Sequence, residues 1–210
     1  MKPSQPVILG HRGAPRVAPE NTLESFHACL KMGAAGFEFD VRQSRDGRLV
    51  IAHDARVRGR AISRTAAAAL GLPALEEVLA RFDHAWLDIE IKTPGIERPV
   101  VELVQALPAN SHVVTSFRAG TVREVKRLSP ATPAGLLFKR RFFRWPAWAR
   151  HPQLDYLAPH YSCLNAHLAH EARVRGLKLI VWTVNTEAQM RRCRALGVEV
   201  VISDEPDRWL

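Results

Sequence analysis

The chain has 210 residues, 47% of them hydrophobic, and no Ser/Gly-rich linker divides it, which fits one domain over 1–210 with a sizeable core and excludes a disordered chain. Its formal net charge of +9 attracts anions: nucleic acid, acidic lipid surfaces or phosphorylated small molecules. No apolar run has the length of a bilayer span, and the opening MKPSQPVILGHRG carries too short an apolar stretch for a signal-peptide core. Three scattered cysteines, Cys29, Cys163 and Cys193, lack CxxC spacing and read as reduced thiols, so the expected compartment is the cytoplasm.

In chain order, 7–10 is a short strand ending at His11. Asn21-Thr22-Leu23-Glu24 reads as an N-cap with its capping-box glutamate, opening a helix that stops at Gly33. Residues 37–44 form a strand, Asp46-Gly47 a hairpin signal, and 49–53 the return strand. Helices over 75–82, 99–107, 121–128, 165–176 and 187–197 alternate with strands over 86–92, 112–117, 134–138, 156–160, 178–184 and 198–204. Eight of these nine strands are separated by helical or long connections, the parallel βα pattern. The expected fold class is α/β, a TIM (β/α)₈ barrel with a β-hairpin after strand 2. An open doubly wound sheet is the alternative, and no GxGxxG follows the first strand to favour it.

In such a barrel the chemistry sits at the C-terminal strand ends. Those ends offer His11-Arg12-Gly13, then Glu38 and Asp40, then His53-Asp54, then Asp88, Glu90 and Lys92 on one face of LDIEIK. Later strands supply Ser116, His160, Trp182, Asn185, Ser203 and Asp204. The strand period of two puts Glu38 and Asp40 on one face, where two carboxylates repel unless a cation lies between them or one is protonated. With Glu90 as a third, the set suits a hard divalent cation, Ca²⁺ or Mg²⁺, better than zinc. One charged strand end alone is more often a solvated rim residue; the coincidence of acids and histidines at one end of successive strands favours a metal-assisted site. Arg12 and Lys92 beside the acids suit an anionic substrate such as a phosphate. Arg56, Arg58, Arg60 and Arg64 read equally well as phosphate ligands or as a solvated loop.

At these residues a resemblance becomes specific. GHRGAPRVAPENTLESF, EFDVRQSRDGRLVIAHD, LDIEIK, VWTVN and VISDEPD, in this order over about residues 8–207, resemble the glycerophosphodiester phosphodiesterase family. The resemblance implies a TIM barrel and hydrolysis of glycerophosphodiesters to sn-glycerol 3-phosphate and an alcohol, within lipid and glycerol metabolism. It implies His11 and His53 as general acid and base, and Glu38, Asp40 and Glu90 as metal ligands. Arg12 and Lys92 match the family's phosphate-binding pair, and Trp182 its aromatic wall for the glycerol. The interval ARVRGRAISRTAAAALG is short for the family, so the capping insertion is expected to be reduced to little more than a loop, leaving a more open mouth. The attacking oxygen is water or the glycerol 2-hydroxyl.

Three other readings compete. A lysophospholipase-D-like enzyme acting at a membrane surface draws on Lys139–His151, KRRFFRWPAWARH, whose mixed basic and aromatic composition suits weak association with an anionic lipid surface. A βα connection packed on the barrel is the plainer account of that segment. Nucleic-acid binding rests on net charge alone, with no zinc-finger spacing, RNP-like aromatic pair or helix-turn-helix. A catalytically dead relative is disfavoured by the intact histidines and acids. The expected partner is a small anionic phosphodiester, with no nucleic acid; the residues carry no oligomer signal.

Overall fold

The computed structural model of the chain describes residues 5–108, 111–139 and 154–210. Strand β1 (Val7–His11) leads through helix α1 (Leu23–Lys31) to β2 (Gly36–Gln43), and β3 (Leu49–Ile51) returns beside β2. Two short strands, β4 (Arg56–Val57) and β5 (Arg60–Ala61), precede α2 (Leu75–Arg81) and β6 (Trp86–Ile91). Then follow α3 (Glu97–Val104), β7 (His112–Ser116), α4 (Ala119–Leu128) and β8 (Ala134–Phe138). The chain ends with β9 (Tyr156–Pro159), α5 (Ala166–Val174), β10 (Lys178–Val181), α6 (Glu187–Ala195) and β11 (Val200–Ser203).

The sheet closes on itself. β1 pairs in parallel with β11 at Val7↔Val200 and with β2 at Gly10↔Phe37, so the first and last barrel strands meet. Every other barrel pairing is parallel, in the order β2, β6, β7, β8, β9, β10, β11. Within this sheet only β3 runs antiparallel, with Arg42 opposite Val50. This is the (β/α)₈ barrel with a hairpin after strand 2 that the alternation of elements predicts.

The period of two decides which face does what. On β2, Phe37, Phe39 and Val41 are fully buried and face the helices; the Phe37 ring stacks on Phe26 of α1 at 4.1 Å and meets Phe82 edge-on. Each such phenylalanine contributes roughly 1.5–3 kcal/mol of burial. The alternate residues, Glu38 and Asp40, are left to the barrel interior, as are Asp88 and Glu90 of β6. Below them the interior is apolar, built from Leu9, Val113, Leu137, Ala158, Ile180 and Ile202. One residue pair further along each strand, two on β7, the same face reaches the mouth at His11, Lys92, Phe117, Lys139, His160, Trp182 and Asp204.

Two local readings change. The cap of α1 is Thr22, whose hydroxyl accepts from the Ser25 amide, so Glu24 closes no capping box. Asn21 instead has φ 58° and turns its side chain to Asp40. A capping box does form at α6, between Thr186 and Gln189. The reduced insertion has more order than a bare loop. β4 pairs with β5, and Ile62 and Leu70 bury against Val50 and Ala52 beyond the hairpin. The cysteines are buried and unpaired, and no helix of the described residues is long and apolar enough to cross a membrane.

Candidate active site

The HRG turn sets the first histidine. Arg12 and Gly13 both take positive φ, 55° and 89°, which reverses the chain directly after His11. A side chain at Gly13 would put its Cβ 2.4 Å from the Ser25 hydroxyl, so only glycine lets α1 approach. The turn aims the Arg12 amide at Glu38 Oε2, 3.0 Å away. Arg12 Nη1 donates to Glu20 Oε1 at 2.8 Å, and its Nε lies 3.3 Å from Asp40 Oδ2.

Strand register assembles the acids. Glu38 lies opposite Asp88 and Asp40 opposite Glu90 across the β2–β6 pair. Glu38, Asp40 and Glu90 are buried, and each brings a carboxylate oxygen within 4.8 Å of the others. Lys92 Nζ bridges two of them, 3.0 Å from Asp40 Oδ1 and 2.8 Å from Glu90 Oε1. Asn21 Nδ2 donates to Asp40 Oδ2 at 2.9 Å.

The acids differ in charge state. Burial pushes the Glu38 carboxyl well up, and the neighbouring Asp40 and Glu90 add to it. Burial and Asp40 raise Glu90 to about 7, against the pull of Lys92. Burial also opposes ionisation of Asp40, but Lys92 and Arg12 outweigh it and hold that carboxyl below its usual range. Three buried carboxylates this close, two of them reluctant to ionise, form the donor set that a hard divalent cation would relieve. The residues therefore fit the expected metal.

His11, Arg12, Glu38, His53, Glu90 and Lys92 line one cavity of about 250 Å³ at the barrel mouth. Its wall includes Trp182, whose indole N–H donates to the Ala158 carbonyl at 2.8 Å and whose ring meets Phe117 edge-on. His11 Nε2 lies 3.9 Å from Glu38 Oε2, and His11 Nδ1 lies 2.7 Å from Asp204 Oδ1. His53 ends the hairpin return; Arg42 Nε and Nη2 both donate to its carbonyl, at 2.9 and 2.6 Å.

All eight residues singled out in the sequence thus sit at this end of the barrel. The arginine cluster does not join them: Arg56 and Arg60 donate to carbonyls within their own segment, Gly59 and Ala69, and none of the four lines the cavity. Apart from Lys139, the segment Lys139–His151 lies outside the described residues. The sequence patterns do not single out Asn21, Arg42, Phe117 or Lys139 as site residues, and mark Asp204 only as a polar strand end.

The fold agrees with that of known proteins. The family model described as the glycerophosphoryl diester phosphodiesterase family matches residues 11–68 and 58–208. The chain belongs to that family. A glycerophosphodiester phosphodiesterase of Caldanaerobacter subterraneus subsp. tengcongensis is 29% identical over an alignment of 230 residues, covering 96% of this chain and 95% of the relative. The crystal structure of a glycerophosphodiester phosphodiesterase from Thermotoga maritima superimposes with a TM-score of 0.85 at 26% identity, over 98% of this chain and 97% of that one. An Oleispira antarctica phosphodiesterase, solved in complex with the product sn-glycerol-3-phosphate, gives a TM-score of 0.86 at 25% identity, over 97% and 95%.

Proposed function

We propose that this phosphoric diester hydrolase cleaves glycerophosphodiesters to sn-glycerol 3-phosphate and an alcohol, with His11 and His53 as general acid and base and a divalent metal held by Glu38, Asp40 and Glu90. The observation that carries the reading is the convergence of both histidines, Glu38 and Glu90 on one cavity, with Asp40 buried behind it within 4.8 Å of both acids. The product named for the Oleispira antarctica relative supports the same substrate class. Buried unpaired cysteines are compatible with a reducing compartment, and a cytoplasmic location belongs to the same proposal.

When bound, Ca²⁺ or Mg²⁺ would neutralise charge on the phosphoryl oxygens and so favour attack at phosphorus. The chain's own residues do the rest. Lys92 and Arg12, both kept charged by the surrounding acids despite burial, hold the anionic diester at the triad. One histidine takes the proton of the attacking hydroxyl and the other returns one to the leaving alcohol, so the rate profile is bell-shaped in pH. Trp182 walls the apolar side of the glycerol.

The test is release of glycerol 3-phosphate from a panel of glycerophosphodiesters with Ca²⁺, Mg²⁺ or EDTA. His11→Ala and His53→Ala should each cost roughly 10²–10⁴-fold in rate. Near-normal turnover by either variant would sink the acid–base assignment.

A further inference from the structure

Lys139 is a cation of the cavity that the chain leaves unneutralised. Two residues before it, Leu137 points into the barrel and lines the same cavity, so Lys139 continues that face into the mouth. Its side chain is exposed, and its neighbours around the mouth are Phe117 of the preceding strand end and His160 of the next. Neither is an acid. Every Asp and Glu of the sequence lies among the described residues, because 1–4, 109–110 and 140–153 contain none. Among those described residues no carboxylate comes within ion-pair distance of Lys139. The other two cations of the cavity differ in this: Arg12 is held by Glu20 and Asp40, and Lys92 by Asp40 and Glu90.

The position of Lys139 in the barrel gives it a direction. β8 lies four strands from β1 by either route round the barrel, so Lys139 faces His11 across the mouth. The acid triad stands on β2 and β6. A diester held by its phosphate at the triad and at His11 can therefore send one arm toward β8. The wall met there carries the Lys139 ammonium and no acid. The Lys92 ammonium sits 5.7 Å over the Phe117 ring, so that aromatic face already has its cation. Burial lowers the basicity of His160, and the charge of Lys139 lowers it further.

We propose that Lys139 is a specificity residue, selecting glycerophosphodiesters whose alcohol arm carries an anionic group, a carboxylate or a phosphomonoester, over those with a quaternary ammonium. This rests on the diester-hydrolase reading of the cavity given above.

The test uses three diesters of sn-glycerol 3-phosphate that differ only in the alcohol: 3-hydroxypropionate, glycerol and choline. In the unsubstituted protein kcat/KM should fall in that order. Lys139→Ala should lower the hydroxypropionate-to-glycerol ratio roughly two- to fivefold, the size expected of one exposed charge pair. Lys139→Glu should reverse the order, and Lys139→Arg should keep it. Melting temperatures should not move, since Lys139 is exposed. An equal loss on all three substrates would mean that Lys139 acts at the shared phosphate or glycerol, and would overturn the proposal. Unchanged ratios would overturn it too. Failure of the unsubstituted protein to release glycerol 3-phosphate from any of the three would refute the diester-hydrolase reading itself.

Discussion

His11 and Asp204 stand 193 residues apart in the chain and 2.7 Å apart in space, Nδ1 against Oδ1. Barrel closure makes the contact, because β1 and β11 are paired neighbours. Burial opposes ionisation of Asp204, but the bonds from His11 and Asn185 outweigh it and keep its carboxyl below the usual range. An ionised carboxylate only accepts, so Nδ1 of His11 carries the proton and Nε2 is left facing Glu38. Asn185 fixes the carboxylate in turn, its Nδ2 donating to Oδ2 at 2.6 Å while its Oδ1 accepts from the Asp204 amide at 3.0 Å.

Asp204→Asn keeps the shape and removes the acceptor charge. If Asp204 orients His11, kcat should fall roughly 10- to 100-fold, the usual cost of losing such a supporting group, with KM little changed. Steady-state kinetics on glycerophosphoglycerol reads this directly. A variant with unchanged kcat would leave Asp204 a merely structural residue.

Arg42 grips the second histidine from behind. Its Nε and Nη2 both converge on the His53 carbonyl. Arg42→Lys has one donor group in place of a planar fork and should lower kcat about tenfold. Arg42→Gln should cost at least as much. Both should melt near the unsubstituted protein, since the guanidinium touches the hairpin end and not the apolar core. A fall in stability with no fall in kcat would contradict the positioning role.

The legible part of this site was local. Alternation within LDIEIK and within FEFD is a two-residue pattern, so the sequence alone assigns Glu38, Asp40, Glu90 and Lys92 to one face. The HRG turn and the hairpin end are equally short. What escaped depends on contacts between distant segments. Asn21 looked like a helix cap because Asn favours that position; a positive φ and a bond to Asp40 claim it instead. Arg42 gave no signal, since its target is a backbone carbonyl. In sequence Lys139 belongs with the basic stretch that follows it, and only its place on the barrel's inward face separates it from that stretch.

Removal of divalent metal should abolish activity, and the pH dependence of rebinding follows from the acids. In the metal-free protein Glu90 is raised to about 7 and Glu38 stands well above its ordinary value. Below pH 7 the site therefore holds protons that a cation must displace, and affinity weakens as pH falls through that range. Calorimetric titration of EDTA-stripped protein with Ca²⁺ should give tighter binding at pH 8 than at pH 6. The heat should also vary with the buffer's ionisation enthalpy, which marks proton release. Glu90→Gln should remove its own share of the buffer dependence and leave that of Glu38, and Glu38→Ala should abolish binding. Affinity that is the same at both pH values would contradict the protonated state of the free acids.

The far end of the barrel carries its own pH prediction. His112 opens β7 and is buried; its Nδ1 donates to the Pro108 carbonyl at 3.2 Å, while Nε2 has no partner among the described residues. Burial lowers its pKa, and the Pro108 bond only partly offsets this. The folded value thus lies below the roughly 6.5 of an unfolded chain. On acidification the unfolded state binds the proton first. The stability that comes from keeping His112 neutral is therefore complete above about pH 6.5 and is lost as pH falls from there through the folded value. The slope added by this one group is at most about 1.4 kcal/mol per pH unit. His112→Leu removes the titrating ring and costs about 1 kcal/mol for the lost Pro108 bond, a cost that does not vary with pH. Urea unfolding at pH 7, 6 and 5 should find the variant less stable at pH 7 but falling less steeply toward pH 5. Parallel falls for the two proteins would assign the acid sensitivity to other groups.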